Sequence, residues 1–450
     1  MELGNEKSDA KKEKKVLSTK LSRRGFLKTS LGLGVGATGT ALFGSELTGG
    51  NGVADAADIV QHDTMPVEIS TDYQRYSYTR LSPVLTCPGG AKYFGKRMGA
   101  IPQTGGPGWT QLEVALDNGS WAIEQDINHY QATLSYQSIG LFSWKGEVNP
   151  NWGSDVNPTK YKFESPEAAS AIIKKAAMYF GASKVGIAPY DERWVYSEVM
   201  DPVAAADPNH PNPNSPIPNK LPFTPSHVIV MILEMDYDGY QTAPALPQTA
   251  SSANIYSNMG VTSRKLATFI RTLGYQCIPC SNDTALSVPL AIQAGLGELS
   301  RIGIMISPEF GPRQRICKTF VDMDLAIDKP ISFGAMKFCK TCKKCADACP
   351  SQAISHDDEP SFKVKESTNP GVKKWAVDGV KCMTQWGEVG SDCGVCIKVC
   401  PYNKPTQEWH HDLAKLATRT PAKPLLRFFD DLFGYGKIIV PDAVKNFWNK

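Results

Sequence analysis

Residues 339–350 read CKTCKKCADACP. The four cysteines stand at C-x2-C-x2-C-x3-C-P, the spacing of a two-cluster iron–sulfur run in which the fourth cysteine completes the other cluster. The partner run is residues 382–401, CMTQWGEVGSDCGVCIKVCP, the same pattern with its first gap stretched to C-x10-C. Exchanging the last cysteines gives two sets of four. Cys339, Cys342, Cys345 and Cys400 would hold one [4Fe-4S] cluster, and Cys349, Cys382, Cys393 and Cys396 the other. Thiolates suit such clusters as soft, negative ligands. The short gaps let three sulfurs converge on one cubane, and each Pro stops the chain from continuing as helix. A zinc site would pair its cysteines in C-x2-C knuckles without the C-x3-C-P ending. The stretched gap leaves open a [3Fe-4S] or otherwise altered second site, although no ligand is missing.

The compartment is written at the other end. Residues 22–27 read SRRGFL, followed by the apolar run LGLGVGATGTALF at 31–43 and by VADAAD at 53–58, with Ala54-x-Ala56 in the small-residue cleavage pattern. A charged stretch, a modest apolar stretch and an A-x-A site make a signal peptide, expected to leave a mature chain starting near Ala57. The paired Arg23 and Arg24 resemble a twin-arginine (Tat) signal. Tat export moves proteins already folded around cofactors, which agrees with clusters built in the cytoplasm. No later stretch reaches about 18 uninterrupted apolar residues, so no spanning helix is expected. The formal charge is only +3, with no basic stripe interleaved with aromatics, so nucleic-acid binding is not indicated. Of the 12 cysteines, Cys87, Cys277, Cys280 and Cys317 fall outside the two sets. The CIPC at 277–280 has redox-motif spacing, but its apolar setting suggests a buried structural role.

The elements that must position this chemistry are less explicit. Residues 58 to about 160 read as irregular, with GG, GP and NP punctuation and many aromatics (Trp109, Trp121, Tyr130, Phe142, Trp144, Trp152), as in a segment that wraps a core or roofs a cavity. From 163 the pattern becomes regular. Ser165 is a candidate N-cap, Pro166 fits the first helical position, and Ala169, Ile172, Ile173, Ala176 and Phe180 recur at helical spacing up to Gly181. KVGIAPY (184–190), HVIVMILEM (227–235), YQCIPC (275–280) and RIGIMI (301–306) read as strands; residues 256–274 and VPLAIQAGLG (288–297) read as helices. Helices alternating with apolar strands argue an α/β core. The chain therefore divides into a Tat signal peptide (1–56), an N-terminal wrapping segment (57–162), an α/β core (163–329), a ferredoxin-like two-cluster domain (330–405) and a C-terminal extension (406–450) that is helical and packs back. No P-loop or Gly-rich dinucleotide fingerprint is present. The D-x-H-x-x-G motif that supplies a cobalt ligand in one corrinoid family is also absent.

With these features together, the chain resembles the respiratory reductive dehalogenases, corrinoid-dependent exported enzymes of organohalide-respiring bacteria. The resemblance runs over nearly the whole chain and is carried by VADAAD, VGIAPYDERW, YSNM, SNDTALSVPLAIQAGLGE, FGPRQRI and CKKCADACPSQAISH. It implies an α/β core like the vitamin-B12 processing proteins and a nitroreductase, holding a base-off corrinoid of the cobalamin type, with two [4Fe-4S] clusters in the inserted ferredoxin-like domain. It implies reductive cleavage of a carbon–halogen bond by cobalt(I), with the compact middle of this chain more like the chlorinated-alkane (chloroform or chloroethane) reducers. It also implies site residues. Tyr256 in IYSNM matches the proton donor, Arg315 in FGPRQRI the partnering cation with Arg313 as near competitor, Asn282 in SNDTA a polar neighbour of the tyrosine, and Trp386 an aromatic lining the substrate cavity. A free phenol titrates near about 10, so such a donor needs a cation that favours its phenolate. The implied partners are a small integral membrane anchor protein on the outer face of the cytoplasmic membrane, the quinol pool as direct or indirect electron donor, the Tat translocase and a dedicated chaperone.

From residue type alone each of these four has a plainer reading. Tyr256 is then a packed aromatic, Arg315 a surface ion-pair partner, Asn282 a turn residue and Trp386 a packing residue. Two other functions compete. A Tat-exported electron-transfer subunit would carry iron and sulfide only, and would not need the large α/β region. An epoxyqueuosine reductase-like enzyme shares the corrinoid-and-cluster plan but acts on tRNA in the cytoplasm, which the leader and the missing basic patch oppose. A non-catalytic binding module leaves the eight cysteines unexplained.

Overall fold

The computed structural model describes residues 59–81, 106–134, 156–201, 211, 215–405, 423–432, 435, 437–438 and 442–450. The leader with Arg23 and Arg24, its cleavage pattern at Ala54–Ala57, Cys87, Phe142, Trp144 and Trp152 lie outside the described residues. Among the described residues no helix is long and apolar enough to cross a membrane.

A four-stranded sheet organises the core. Its strands are β1 (Lys184–Pro189), β2 (His227–Glu234), β3 (Cys277–Cys280) and β4 (Gln314–Val321), in the order β1-β2-β4-β3, each antiparallel to its neighbour. β2 is apolar at every interior position because both of its faces are covered. Alternate side chains point to opposite faces. Ile229, Met231 and Leu233 pack with Ile173, Ala177, Leu266 and Ile270 on one side, and Val228, Val230 and Ile232 with Trp194, Leu290 and Ala291 on the other. Each such side chain contributes about 1.5–3 kcal/mol by leaving water. The layers are thus helix, sheet, helix, and the mixed α/β class expected from the sequence holds.

The helices, in chain order, are α1 (Gln111–Leu134), α2 (Pro166–Tyr179), α3 (Tyr237–Gln241), α4 (Leu246–Thr272), α5 (Ser287–Gln293), α6 (Ala335–Cys342), α7 (Lys344–Asp347), α8 (Gly379–Val389), α9 (Val395–Lys398), α10 (Lys423–Leu432) and α11 (Ala443–Asn449). α2 begins as its sequence says it should: the Ser165 hydroxyl accepts from Ala168 N at 3.2 Å and Pro166 opens the helix. α1 overturns the irregular reading of residues 58 to 160. Its polar residues and Gly119 hide the period, and its packing along α4 supplies what propensity does not. α4 begins ten residues earlier than expected. Its first turns are rich in Ser and Thr, which are weak helix formers, yet Gln248, Thr249, Ser251 and Ser252 are all buried. The expected strand at 301–306 shrinks to Met305–Ile306, paired with Glu298–Leu299; Arg301–Ile304 form a turn, with Gly303 at φ +75°.

The cysteine runs fold as a pseudo-repeat. In each, a residue in the left-handed region (Lys343 at φ 52°, Gly394 at φ 64°) precedes a single helical turn, α7 or α9, that ends before a C-P pair. A Cβ on Gly394 would lie 2.5 Å from the Gln248 side chain, so glycine is required where this turn docks on α4. The docking is further held by Asp392 N donating to Thr249 Oγ1 (2.9 Å) and Lys398 Nζ donating to Ala243 O (2.9 Å). α10 packs back as expected, placing buried Asp430 against Lys344 at 2.5 Å, with a second ion pair to Lys404.

Candidate active site and cluster sites

The eight cysteines sort into the two exchanged sets. One cavity is lined by Cys339, Cys342, Cys345 and Cys400, together with Arg301, Phe338 and Tyr402. Cys400 comes from the second run, so the exchange occurs. Electrostatics repeat the grouping. Burial first, and then neighbouring thiols, push the cysteine pKa values up. Cys400 is raised by Cys339 and Cys342, Cys382 (to about 12) by Cys393 and Cys349, and Cys396 by Cys382, Cys393 and Cys349. Cys345 also feels Cys396, so the sets adjoin through that pair. Buried thiols this reluctant to ionise must release their protons to solvent as the Fe–S bonds form on loading. Among the described residues no group of three or more His, Cys, Asp or Glu closes around a single-ion position. The four sulfurs instead surround a cavity, as ligands to a multi-iron cluster would.

Sequence reasoning missed the cap that holds the first set. Glu298, buried at the end of a two-residue strand, accepts from Gly334 N (2.9 Å) and Met336 N (2.6 Å) and also from Phe333 N. It caps α6, which carries Cys339 and Cys342. The only sequence signal was an acidic residue amid apolar ones, nearly forty positions upstream.

Tyr256, Asn282 and Arg315 come together. Tyr256 lies on the half-buried face of α4, and Asn282 Nδ2 donates to its hydroxyl oxygen at 2.6 Å. The Arg315 guanidinium, on β4, sits 5.5 Å from the centroid of the Tyr256 ring. Trp121 of α1 stacks on that ring at 5.5 Å and 19°, a neighbour that sequence reading did not supply. Arg315 also donates to Ser252 Oγ at 3.4 Å. Burial opposes its charge, but Tyr240, Tyr256, Asp392 and the Cys396 thiol more than offset this and hold its pKa above the ordinary guanidinium value. Its Nε is buried without a hydrogen-bond partner among the described residues. Cys396 packs in the same core as Tyr256, so the second cysteine set adjoins this group. Arg313 is no competitor. It is a buried clamp, bonded to Glu234 (2.7 Å) and Asn403 (3.0 Å), and it joins the sheet to the segment just after Cys400.

Residues 338–403 match the 4Fe-4S double cluster binding domain family. A tetrachloroethene reductive dehalogenase of Desulfitobacterium hafniense is 40% identical over 404 residues, covering 76% of this chain and 73% of that protein. The chain belongs to the reductive dehalogenases. The tetrachloroethene reductive dehalogenase of Sulfurospirillum multivorans is 36% identical, covering 72% of this chain and 68% of that one. A solved reductive dehalogenase, described as suggesting a mechanism for B12-dependent dehalogenation, shares the fold with a TM-score of 0.60 at 22% identity. It covers 87% of this chain, while this chain spans only 51% of that one. The epoxyqueuosine reductase of Lactococcus garvieae aligns over just 28% of the chain at 26% identity, which does not favour that alternative.

In this reductive dehalogenase Trp386 is part of the second cysteine region. It lies on α8 beside Met383 and the apolar cluster of Cys393, Val395 and Val399, and its side chain hydrogen-bonds to Cys382. The structure thus places it against the second cysteine set. Cys277 and Cys280 are buried in β3 as expected, and burial pushes the Cys277 thiol up to about 11.

Proposed function

We propose that this chain reduces an organohalide as the terminal reductase of organohalide respiration. Two electrons and one proton convert the carbon–halogen bond to carbon–hydrogen, and halide leaves. The observation that carries this reading is the Tyr256–Asn282–Arg315 group adjoining Cys396 of the second cysteine set. Electrons would pass singly from the Cys339 set to the Cys349 set, whose Cys396 adjoins the place where an electron-accepting cofactor would sit beside this group. A base-off corrinoid of the cobalamin type, when bound there, would supply the low-valent cobalt that reduces the bond. Tyr256, Asn282 and Arg315 would face it, and the unpartnered Arg315 Nε together with the exposed side of Asn282 fit a group or ion not yet in place.

The protein's own part is the proton. Because Asn282 donates to the Tyr256 oxygen, the phenolic hydrogen is left to donate elsewhere, toward the carbon that loses halide. Negative charge developing on that oxygen is met by the amide N–H and by the guanidinium over the ring. The compact core supports a chlorinated alkane as substrate; the tetrachloroethene relatives make a chlorinated alkene the comparison. Purified holoenzyme should contain about eight irons and one cobalt per chain. It should oxidise a reduced dye anaerobically with chloroform or a chloroethane faster than with tetrachloroethene. Full activity in cobalt-free protein would refute the corrinoid, and preference for tetrachloroethene would refute the alkane.

The Tat leader supports export to the outer face of the cytoplasmic membrane, where a small membrane anchor protein would hold the chain and the quinol pool would supply electrons. Changing Arg23 and Arg24 to Lys should leave the protein in the cytoplasm. Unchanged export of that variant would count against this route.

A further inference from the structure

The first cysteine set has an unusual neighbour. Arg301 is 1% exposed and lines the cavity formed by Cys339, Cys342, Cys345 and Cys400. Its N–H groups are all directed at backbone carbonyls. Nε and Nη2 reach Cys339 O at 3.1 and 2.7 Å, Nη2 also reaches Lys340 O at 3.4 Å, and Nη1 reaches Ser355 O and Asp357 O at 2.7 Å each. The guanidinium also faces the Trp375 ring at 4.7 Å. Its hydrogen bonds are therefore satisfied, yet among the described residues no carboxylate lies within ion-pair distance of it; the exposed Asp358, itself paired with Lys343, feels it only at longer range. The other buried cations near this set behave differently, since Lys344 and Lys404 share the carboxylate of Asp430.

A buried cation needs a counter-charge. Among the described residues that line this cavity, the four cysteines are the source of negative charge that Arg301 faces once they carry a cluster. We propose that Arg301 is the fixed counter-charge of the first cluster and holds its reduction potential above that of the second. The inference rests on the assignment of two clusters to the two cysteine sets. Cluster potentials follow net local charge, hydrogen bonding and exposure. A cation sealed beside the cluster favours the reduced, more negative state. Arg315 adjoins the second set through Cys396, but it also faces the Tyr240 and Tyr256 side chains and Asp392. Arg301 thus makes the first cluster the easier one to reduce and turns it into a reservoir that feeds the second cluster one electron at a time.

The test is an EPR-monitored redox titration of purified holoenzyme. Wild type must first show two [4Fe-4S] signals; a single signal would sink the cluster assignment itself rather than the role of Arg301. In Arg301→Gln one midpoint should fall enough to change the reduced-to-oxidised ratio of that cluster at fixed poise by about tenfold or more, which is about 59 mV for one electron. The other midpoint should stay in place. Arg301→Lys keeps the charge while losing the fork, and should remain closer to wild type than to Arg301→Gln. If Arg301→Gln fails to retain its cluster, Ser355→Asp places a carboxylate next to the intact guanidinium and should lower the same midpoint. An unmoved midpoint in Arg301→Gln, or in Ser355→Asp where Arg301→Gln cannot be read, overturns the proposal. So does an equal fall in the Gln and Lys variants, which would make Arg301 only a clamp on the loop, or an equal fall of both clusters.

Discussion

Tyr256→Phe should lower turnover by about 10²–10⁴-fold, the usual cost of removing a general acid, while iron content, cobalt content and folding stay as in wild type. The ring contacts survive the change: Trp121 still stacks at about the observed 5.5 Å, and Arg315 still covers the ring face. Asn282 loses its acceptor, but it is exposed, so water replaces the hydroxyl at little cost. The defect therefore belongs to the proton and not to the packing. Arg315→Lys should also be slow. A point charge on a flexible stem does not reproduce a planar group that faces the ring and reaches Ser252 together. Because both residues act on one proton transfer, the double variant should lose less than the product of the single losses. Near-normal turnover of Tyr256→Phe with intact cofactors would hand the acid role to a cavity water or to another tyrosine, even within the same family.

What the sequence disclosed follows a physical rule. Cluster ligands were legible because covalent chemistry fixes their type and spacing. α2 was legible because its cap, its Pro and its period agree. β2 was legible because a strand covered on both faces is one apolar run. β4 was not. QRICKTFV carries two charges that break its apolar run, Arg315 and Lys318, yet Lys318 is fully buried, donating to Ser281 O at 2.5 Å and Ser287 Oγ at 3.0 Å. Only tertiary partners make that burial tolerable, and no local pattern encodes them. The same holds for Arg301, which sits in the turn that replaces the expected strand and is buried on backbone carbonyls far along the chain. The site triad was legible only through family resemblance. Tyr256, Asn282 and Arg315 come from a helix, a loop and a strand that the sheet alone brings together, and Trp121 comes from a helix that the sequence concealed.

The exchange of cysteines between runs carries the second large prediction. Cys400→Ser should damage the cluster that Cys339→Ser damages, and Cys349→Ser the one that Cys393→Ser damages, although in each pair the residues lie in different runs. The cavity lined by Cys339, Cys342, Cys345 and Cys400 requires the first pairing. Cys349 packs in one buried cluster with Cys382 and Cys396, and it raises the Cys382, Cys393 and Cys396 thiols, which points to the second. A hydroxyl is a harder, weaker ligand than a thiolate, so each variant should drop from about eight irons toward about four, or keep a three-iron remnant. EPR should show the same surviving signal within each pair and different ones between pairs. The consequences for turnover should diverge as well. Cys396 adjoins Arg315, so loss of the second set should stop electrons from reaching the active site from any donor. Loss of the first set should chiefly slow a bulky protein donor, and a small, strongly reducing dye able to reach the second set should partly restore turnover. If Cys400→Ser instead left the Cys339 cluster intact and removed the other, each run would be closing its own cluster, and the path of electrons through the Cys345–Cys396 contact would have to be redrawn.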